Sequence, residues 1–240
     1  ALPICLGTIM KNGFHQFIGT PGTGPANVTD VLAAQVPMDL MGVPRDGMRI
    51  AALQPATNAA VVAGLATLFN NQAMLGEQYK TGVMKTGLGL DFAMSPNVPT
   101  HTVGPLGGTP LVNGANQGLI NSGATDNPRA NTTSLVTDGW TAAAGLRLRA
   151  GDVITLGLGG TRVESVNPET KQATGILQDF VVVSDVSSDA SGNATIVISP
   201  AIIAGGAYQN VSARPADNAA ITVRTGTAST AYVQNLIWHK

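Results

Sequence analysis

Residues 151 to 200 read GDVITLGLGGTRVESVNPETKQATGILQDFVVVSDVSSDASGNATIVISP, and this stretch decides the fold. Short runs rich in Val, Ile and Thr alternate in it with clusters of Asn, Gly, Pro and Asp. This pattern is typical of β-strands joined by tight turns. The sequence before it shows apolar residues at helical spacing instead. We therefore predict a small all-β module inserted into a different architecture.

Five strands are predicted for this module, at residues 153–158, 161–166, 176–186, 195–199 and 220–224. Alternation is clearest where Ile196 and Ile198 are flanked by Thr195 and Ser199, which gives one buried face and one wet face. Asn167-Pro168 and residues 191–193 (Ser-Gly-Asn) provide tight turns. Five short strands with such turns favour a small antiparallel barrel or sandwich.

The preceding sequence predicts three helices, which run from Leu6 to Ile18, from Asn27 or Thr29 onward, and from Thr57 or Asn58 to about Phe69. Apolar residues recur at fourfold spacing along the second helix, at Val28, Leu32, Val36 and Leu40. Pro37 should kink or end that helix. Strands are predicted at residues 48–53 and 88–94. Residues 103–140 predict extended loop and short strands, with an exposed mobile stretch around residues 121–133.

The composition points to a protein that is covered by other chains. Only 11% of the 240 residues are charged, against roughly 25% in ordinary soluble domains. Large contacts between copies would explain this low charge. The net charge of -1 excludes a dedicated nucleic-acid surface, so any contact with DNA should be weak and non-specific.

Other whole-chain features exclude several classes of protein. Cys5 is the only cysteine, so disulfide frameworks and thiol-rich metal sites are excluded. The longest nearly apolar stretch, residues 59–66, is too short to span a bilayer, and we expect no membrane partner. Because the chain begins at Ala1 inside an apolar periodic run, we expect it to be processed or part of a longer chain.

Residues 19–24, Gly-Thr-Pro-Gly-Thr-Gly, have the glycine spacing of a phosphate-binding loop. Pro25 and Ala26 follow, however, where that chemistry requires Lys to reach the phosphates and Ser or Thr to hold magnesium. The loop also follows a predicted helix rather than a strand. A plain loop that ends a helix is the favoured interpretation.

No other motif indicates catalysis, a cofactor or a metal, so we predict no enzymatic activity and name no site residues. His15, His101 and His239 are far apart and lie in no short-range ligand pattern. No Gly-x-Ser-x-Gly pentad occurs, and Glu164 and Glu169 flank a turn that should be solvated. A triad assembled from distant residues stays open, as does an anchoring role for the scattered aromatic residues.

Several stretches resemble, in order, the major coat proteins of short-tailed double-stranded-DNA bacteriophages, the group typified by phage P22. They are Ile18–Thr23, Val43–Arg49, Gln54–Ala60, Asn97–Gly104, Val166–Lys171 with 175–183, Ile198–Ile203 and Gln234–Lys240. The resemblance implies an α+β chain with the Hong Kong 97 type capsid fold. Residues 1–145 would be the end of the spine helix and the axial domain. Residues 146–225 would be an inserted antiparallel β-barrel domain, and residues 226–240 the return to the scaffold.

The resemblance also implies a function. Such a subunit forms pentamers and hexamers of an icosahedral head around double-stranded DNA, guided by a scaffolding protein and closed by a portal protein. A decoration protein is a further partner to consider. Assembly would take place in the bacterial cytoplasm, and the inserted domain would support folding and capsomer contacts. A shell subunit needs no cofactor, and its low charge suits burial against neighbouring copies.

The sequence is also compatible with two other functions. The first is a β-rich phage or secreted module that binds a carbohydrate or receptor through the loops of residues 167–178. The second is an enzyme that uses the loop of residues 19–24 on nucleotides.

Overall fold

A computed structural model of the chain describes residues 16–25, 28–64, 80–84, 86–115, 117, 134–157 and 162–239. These residues fall into two compact units. Unit 1 contains the described residues of 18–100 and 233–239, and unit 2 contains residues 16–17 and those of 101–232. The described part of the chain is mixed α/β, with few helices and many strands.

The described part of unit 1 includes two helices and a three-stranded sheet. Its elements are α1 (Val28–Leu40), β1 (Arg49–Leu53), α2 (Pro55–Gly64), β2 (Asp91–Met94) and β15 (Leu236–His239). In the sheet, β1 is central and pairs antiparallel with β15 and parallel with β2. The core of this unit comprises Val31, Ala51, Leu53, Val61, Met84, Leu90 and Phe92.

Helix α1 does not end at Pro37, as one alternative of the prediction had it. It continues to Leu40, and its last turn is closed by the bond from Met41 N–H to the Pro37 carbonyl at 2.9 Å. Gly42 follows with φ of 73°, the left-handed conformation that commonly terminates a helix. The glycine, rather than the proline, therefore sets the end of α1.

Helix α2 begins two residues before the predicted caps. Pro55 occupies the first position of the helix, where its missing N–H costs nothing, and Asn58 N–H bonds to the Gln54 carbonyl at 2.9 Å. Thr57 and Asn58 are therefore buried inside the helix, so the prediction that they cap it was wrong. The part of this helix predicted beyond Gly64 lies outside the described residues.

Most of the helix predicted from Leu6 to Ile18 also lies outside the described residues, as does the stretch of residues 121–133. Its predicted end is contradicted, since residues 16–18 are not helical.

Unit 2 is built of strands. They are β3 (Thr100–Thr102), β4 (Gly108–Val112), β5 (Ser134–Trp140), β6 (Gly145–Leu148), β7 (Val153–Leu156), β8 (Glu164–Val166), β9 (Ala173–Leu177), β10 (Phe180–Val182), β11 (Val186–Ser188), β12 (Ala194–Ser199), β13 (Ile221–Val223) and β14 (Ala231–Val233). Strands β3 and β14, which lead into and out of the unit, pair with each other. The pairs β6–β11 and β8–β9 form two further ribbons.

Six strands form the main sheet of unit 2 in the order β13-β7-β10-β12-β5-β4, with antiparallel neighbours throughout. Its two edges meet, because Leu111 in β4 forms an antiparallel bridge with Ala220, just before β13. Val112 N–H also bonds to the Ala219 carbonyl at 2.9 Å. The sheet therefore closes on itself as a barrel.

The barrel interior follows the alternation that the sequence predicts. Along β12, Ile196 and Ile198 are buried, whereas Thr195 is exposed. The predicted turns join β8 to β9 at Asn167 and β11 to β12 at residues 189–193. The predicted strand at 176–186 is divided among β9, β10 and β11, because Gln178-Asp179 and residues 183–185 interrupt the pairing. Unit 2 is also wider than the predicted block of residues 146–225, since β4 and β5 belong to its main sheet.

The tight approach of Gly192 to β5 gives a stability prediction. A Cβ at Gly192 would lie 2.3 Å from the Trp140 carbonyl oxygen, whereas a Cβ at Gly206 meets nothing within 4 Å. Both glycines have φ of 83°, so alanine suffers the same backbone strain at each. Gly192→Ala should cost about 1–3 kcal/mol more than Gly206→Ala, because it alone overpacks the barrel. Urea unfolding of the two variants measures the difference, and equal losses would contradict this packing.

Candidate functional site

Arg49 organises the polar part of unit 1. Its side chain is fully buried on β1, and its guanidinium donates to the carbonyls of Pro44, at 3.0 Å, and Val43. It also donates to Asp39 Oδ1 at 2.7 Å, and Gln35 Oε1 lies 3.4 Å from Nη1. The stretch Val43–Arg49 is one of those that resemble the coat proteins. Its first residues form a loop whose carbonyls bind the side chain of Arg49, its last residue.

Asp39 is shared between two arginines. Besides Arg49, it accepts bonds from Arg45 Nε, at 3.0 Å, and from Arg45 Nη2. The bond from the Arg45 guanidinium, with help from Arg49, lowers the pKa of Asp39 from 3.8 to about 2. The neighbouring Asp46 accepts from Met48 N–H, which lowers its pKa, and lies 3.0 Å from His239 Nε2.

Asp152 is the corresponding centre of unit 2. Its fully buried carboxylate accepts the backbone N–H groups of Gly104 at 3.1 Å and Arg149 at 2.7 Å. The Thr225 hydroxyl at 3.0 Å and His101 Nε2 at 2.8 Å bond to its other oxygen. A carboxylate can only accept, so Nε2 carries the imidazole proton. Asp152 therefore ties together three segments that are distant in sequence, and His101 serves this structure.

Asp179 holds the first described residues of unit 2. It is fully buried and accepts the Phe17 backbone N–H, and Arg224 Nη1 lies 3.0 and 3.1 Å from its two oxygens. The Arg224 guanidinium also lies 5.7 Å from the centre of the Phe17 ring. Burial raises the pKa of Asp179, against the opposing effects of Phe17 and Arg224. Asp179 therefore holds the Phe17 backbone, and Arg224 contacts the Phe17 ring.

Of the other residues named in the sequence analysis, His15 lies outside the described residues, and His239 and Glu164 have separate partners. His239 pairs with Asp46, and Glu164 pairs with Arg162 at 2.8 Å. Within the described ranges, no group of three or more His, Cys, Asp or Glu side chains could hold a metal ion. The loop of residues 19–24 is a simple turn, with a bond from Thr23 N–H to the Thr20 carbonyl at 3.1 Å. Neither described helix is long and apolar enough to cross a membrane.

The hairpin of residues 167–178 is closed by its own polar groups. The Asn167 side chain accepts the N–H groups of Glu169 and Thr170, and Lys171 Nζ donates to the Ala207 carbonyl at 2.8 Å. Carbohydrate sites commonly stack sugars on aromatic rings, and this hairpin contains no aromatic residue. Its geometry therefore favours a structural role over a recognition role.

Helix α1 carries an exposed apolar face. Leu32, Val36 and Leu40 are 41%, 49% and 37% exposed, and we call them the α1 stripe. The buried face of the helix carries Val31 and Gln35 instead. The fourfold spacing correctly grouped these residues on one face, but that face points to solvent. Three large apolar side chains in a row are typical of a surface that another chain covers.

Asp152 gives a graded prediction. Asp152→Ala leaves buried donors unpaired and should cost about 3 kcal/mol or more in the free energy of unfolding. Asp152→Asn should cost less, because its oxygen can accept from the backbone while Thr225 and His101 turn to accept from its NH₂ group. Asp185→Ala is the control, since exposed Asp185 accepts one bond, from Ala150 N–H. Chemical denaturation ranks the three variants, and equal costs would contradict a central role for Asp152.

The lowered pKa of Asp39 predicts how the stability of the protein changes at acidic pH. Its folded pKa lies below the ordinary 3.8, so its contribution to stability is complete above pH 3.8 and is lost as the pH falls toward about 2. The difference in unfolding free energy between the wild type and Asp39→Asn should therefore shrink across this window. Arg45→Gln should narrow the window by raising its lower limit, because Arg45 is the largest cause of the lowered pKa of Asp39 in the folded protein. A difference that does not change with pH, measured by urea unfolding, would contradict the arrangement.

A comparison with models of protein families identifies the family of this chain. The sequence model of the family described as "P22 coat protein - gene protein 5" matches residues 9–240. Among solved structures, the chain is similar to a "CUS-3 coat protein I-domain", with 26% identity, a TM-score of 0.32, and coverage of 49% of this chain and 96% of that chain. A search of curated proteins finds no match. Because the family match spans nearly the whole chain, the protein belongs to the P22 coat protein family of phage structural proteins.

Proposed function

We propose that this protein is a major capsid protein, many copies of which assemble into the icosahedral head of a short-tailed bacteriophage around double-stranded DNA. The α1 stripe carries the proposal, because it is exposed in the part of the chain that the structure describes and a neighbouring copy would bury it. The family match and the low charged fraction support the same function. The role is structural, so no catalytic residue is assigned.

We further propose that unit 1 belongs to a Hong Kong 97 type capsid scaffold and that unit 2 is its inserted domain. The order of the chain supports this, since unit 1 precedes unit 2 and resumes after it at residue 233. The proposed limits are residues 101–232 rather than 146–225, because β4 and β5 are part of the barrel. A closed barrel with its own core suits a domain that supports folding and steadies capsomers.

The proposed partners follow from this role. Copies of the chain form pentamers and hexamers, a scaffolding protein guides them, and a portal protein closes one vertex. A decoration protein is an additional candidate on the outside. The net charge of -1 supports only weak, non-specific contact with packaged DNA. The site of action is the virion, after assembly in the cytoplasm of the host bacterium.

The α1 stripe provides the test of this proposal. In the full-length phage protein, the double variant Leu32→Gln and Val36→Gln should fold with nearly unchanged stability, within about 0.5 kcal/mol for exposed positions. It should form few shells or none, because burying two amides between copies is unfavourable. Met94→Gln is the control, since Met94 is a similarly exposed apolar residue of unit 1 outside the stripe. Sedimentation and electron microscopy measure assembly.

Two results would count against the proposal in different ways. Normal shells from the double variant would remove the α1 stripe from the interface while leaving the capsid function intact. A wild-type protein that stays monomeric, with no shell or capsomer in micrographs, would contradict the capsid function itself.

A further inference from the structure

Asn113 and Gly114 form an Asn-Gly pair directly after β4. Asn113 is exposed, and Gly114 has φ of 98°, a conformation that favours glycine. Asparagine is a thermolabile residue, and a following glycine makes it most reactive because no side chain shields the next backbone nitrogen. The pair therefore has the chemistry of a deamidation site.

The reaction needs only water. The Gly114 backbone nitrogen loses its proton to a base in solution and attacks Asn113 Cγ. The Nδ2 group takes up a proton from the solvent, the bond from Cγ to Nδ2 breaks, and ammonia leaves. The resulting five-membered imide then adds water at one of its two carbonyls. Opening of the ring gives aspartate or isoaspartate at position 113, with no oxidation or reduction.

The folded structure restrains the backbone of this pair. Gly114 N–H donates to Asp217 Oδ1 at 2.8 Å, and Asn113 N–H donates to the Val136 carbonyl at 3.0 Å. Gln117 Nε2 donates to the Asn113 carbonyl and, at 2.8 Å, to the Val136 carbonyl. Attack requires the bond to Asp217 to break first. The Asp217 carboxylate also opposes the negative charge that develops on the nitrogen when its proton leaves.

Closure of the barrel brings the Asp217 carboxylate to the Gly114 backbone N–H. Asp217 lies 103 residues beyond Gly114 in the sequence. The next residue, Asn218, donates its backbone N–H to the Val112 carbonyl at 2.9 Å, and Val112 N–H donates to the Ala219 carbonyl. These bonds belong to the same seam that closes the main sheet. Asp217 therefore reaches Gly114 only when the barrel is shut.

We propose that Asn113-Gly114 is a deamidation site that Asp217 keeps unreacted while the barrel of unit 2 is closed. An opened barrel releases Gly114 and lets the reaction proceed. The product adds a negative charge at position 113, next to the residue that bonds to Asp217, and the isoaspartate form also lengthens the main chain, so both oppose closure afterwards. Deamidation would thus make opening of this domain irreversible, whichever role the whole protein has.

The test measures the rate of conversion at position 113. Full-length protein is incubated at mildly alkaline pH, and peptide mass spectrometry with chromatographic separation quantifies asparagine, aspartate and isoaspartate. Asp217→Ala should raise the rate on the order of tenfold, as expected for losing a hydrogen bond to a charged group. Asp189→Ala should leave the rate unchanged. It is the matched control, because exposed Asp189 accepts the backbone N–H groups of Ser191 and Asn193 in another turn of unit 2.

Two further variants complete the experiment. Asp217→Asn keeps an acceptor oxygen but removes the charge, so its rate should fall between those of the wild type and Asp217→Ala. Asn113→Gln should abolish the signal. A rate in Asp217→Ala at or below that of the wild type would overturn the proposal, and a lower rate would make Asp217 a base that promotes the reaction. If Asp217→Ala fails to fold, Asp217→Asn decides by the same criterion.

Discussion

The seam between β4 and residues 218–220 turns the main sheet of unit 2 into a closed barrel. An open six-stranded sheet would present two rows of unpaired backbone groups, which invite pairing with other chains. Closure removes both edges and lets Val112, Ile196 and Ile221 share one dry interior. It also positions Asp217 against Gly114. The order of this unit therefore depends on a few backbone bonds between segments that lie about a hundred residues apart.

Buried charged side chains play the same organising role in both units. Arg49 in unit 1 and Asp152 in unit 2 are fully buried, and each is surrounded by hydrogen-bonding partners. A buried charge is tolerated only when its hydrogen bonds are satisfied, so each fixes the loops that supply its partners. In a chain with few charged residues, these two side chains stabilise loops. The low charged fraction of the chain suits contacts between copies of a structural protein.

The stretches that resembled a coat family turn out to be structural junctions. Val43–Arg49 surrounds the Arg49 guanidinium, and His101 and Gly104 both bond to Asp152. Asn235 contacts Gln54 and Thr57, so two stretches about 180 residues apart in the sequence meet in unit 1. The contacts of His101, Gly104 and Asn235 could not be derived from spacing, because their partners are remote in the chain. The sequence could show only that the motifs occur together in order.

The sequence by itself determined the β-rich character of residues 151–200 and the turns at Asn167 and Ser191. It also determined that the residues of the α1 stripe lie on one face of their helix. These features follow from local spacing and backbone preference, which neighbouring residues set. The tertiary structure alone decided that the stripe points to solvent, that β4 and β5 complete the barrel, and that Thr57 and Asn58 are buried in α2. Burial and strand pairing depend on segments that are far apart in the chain. The spacing of apolar residues carries no information about which distant segment packs against them.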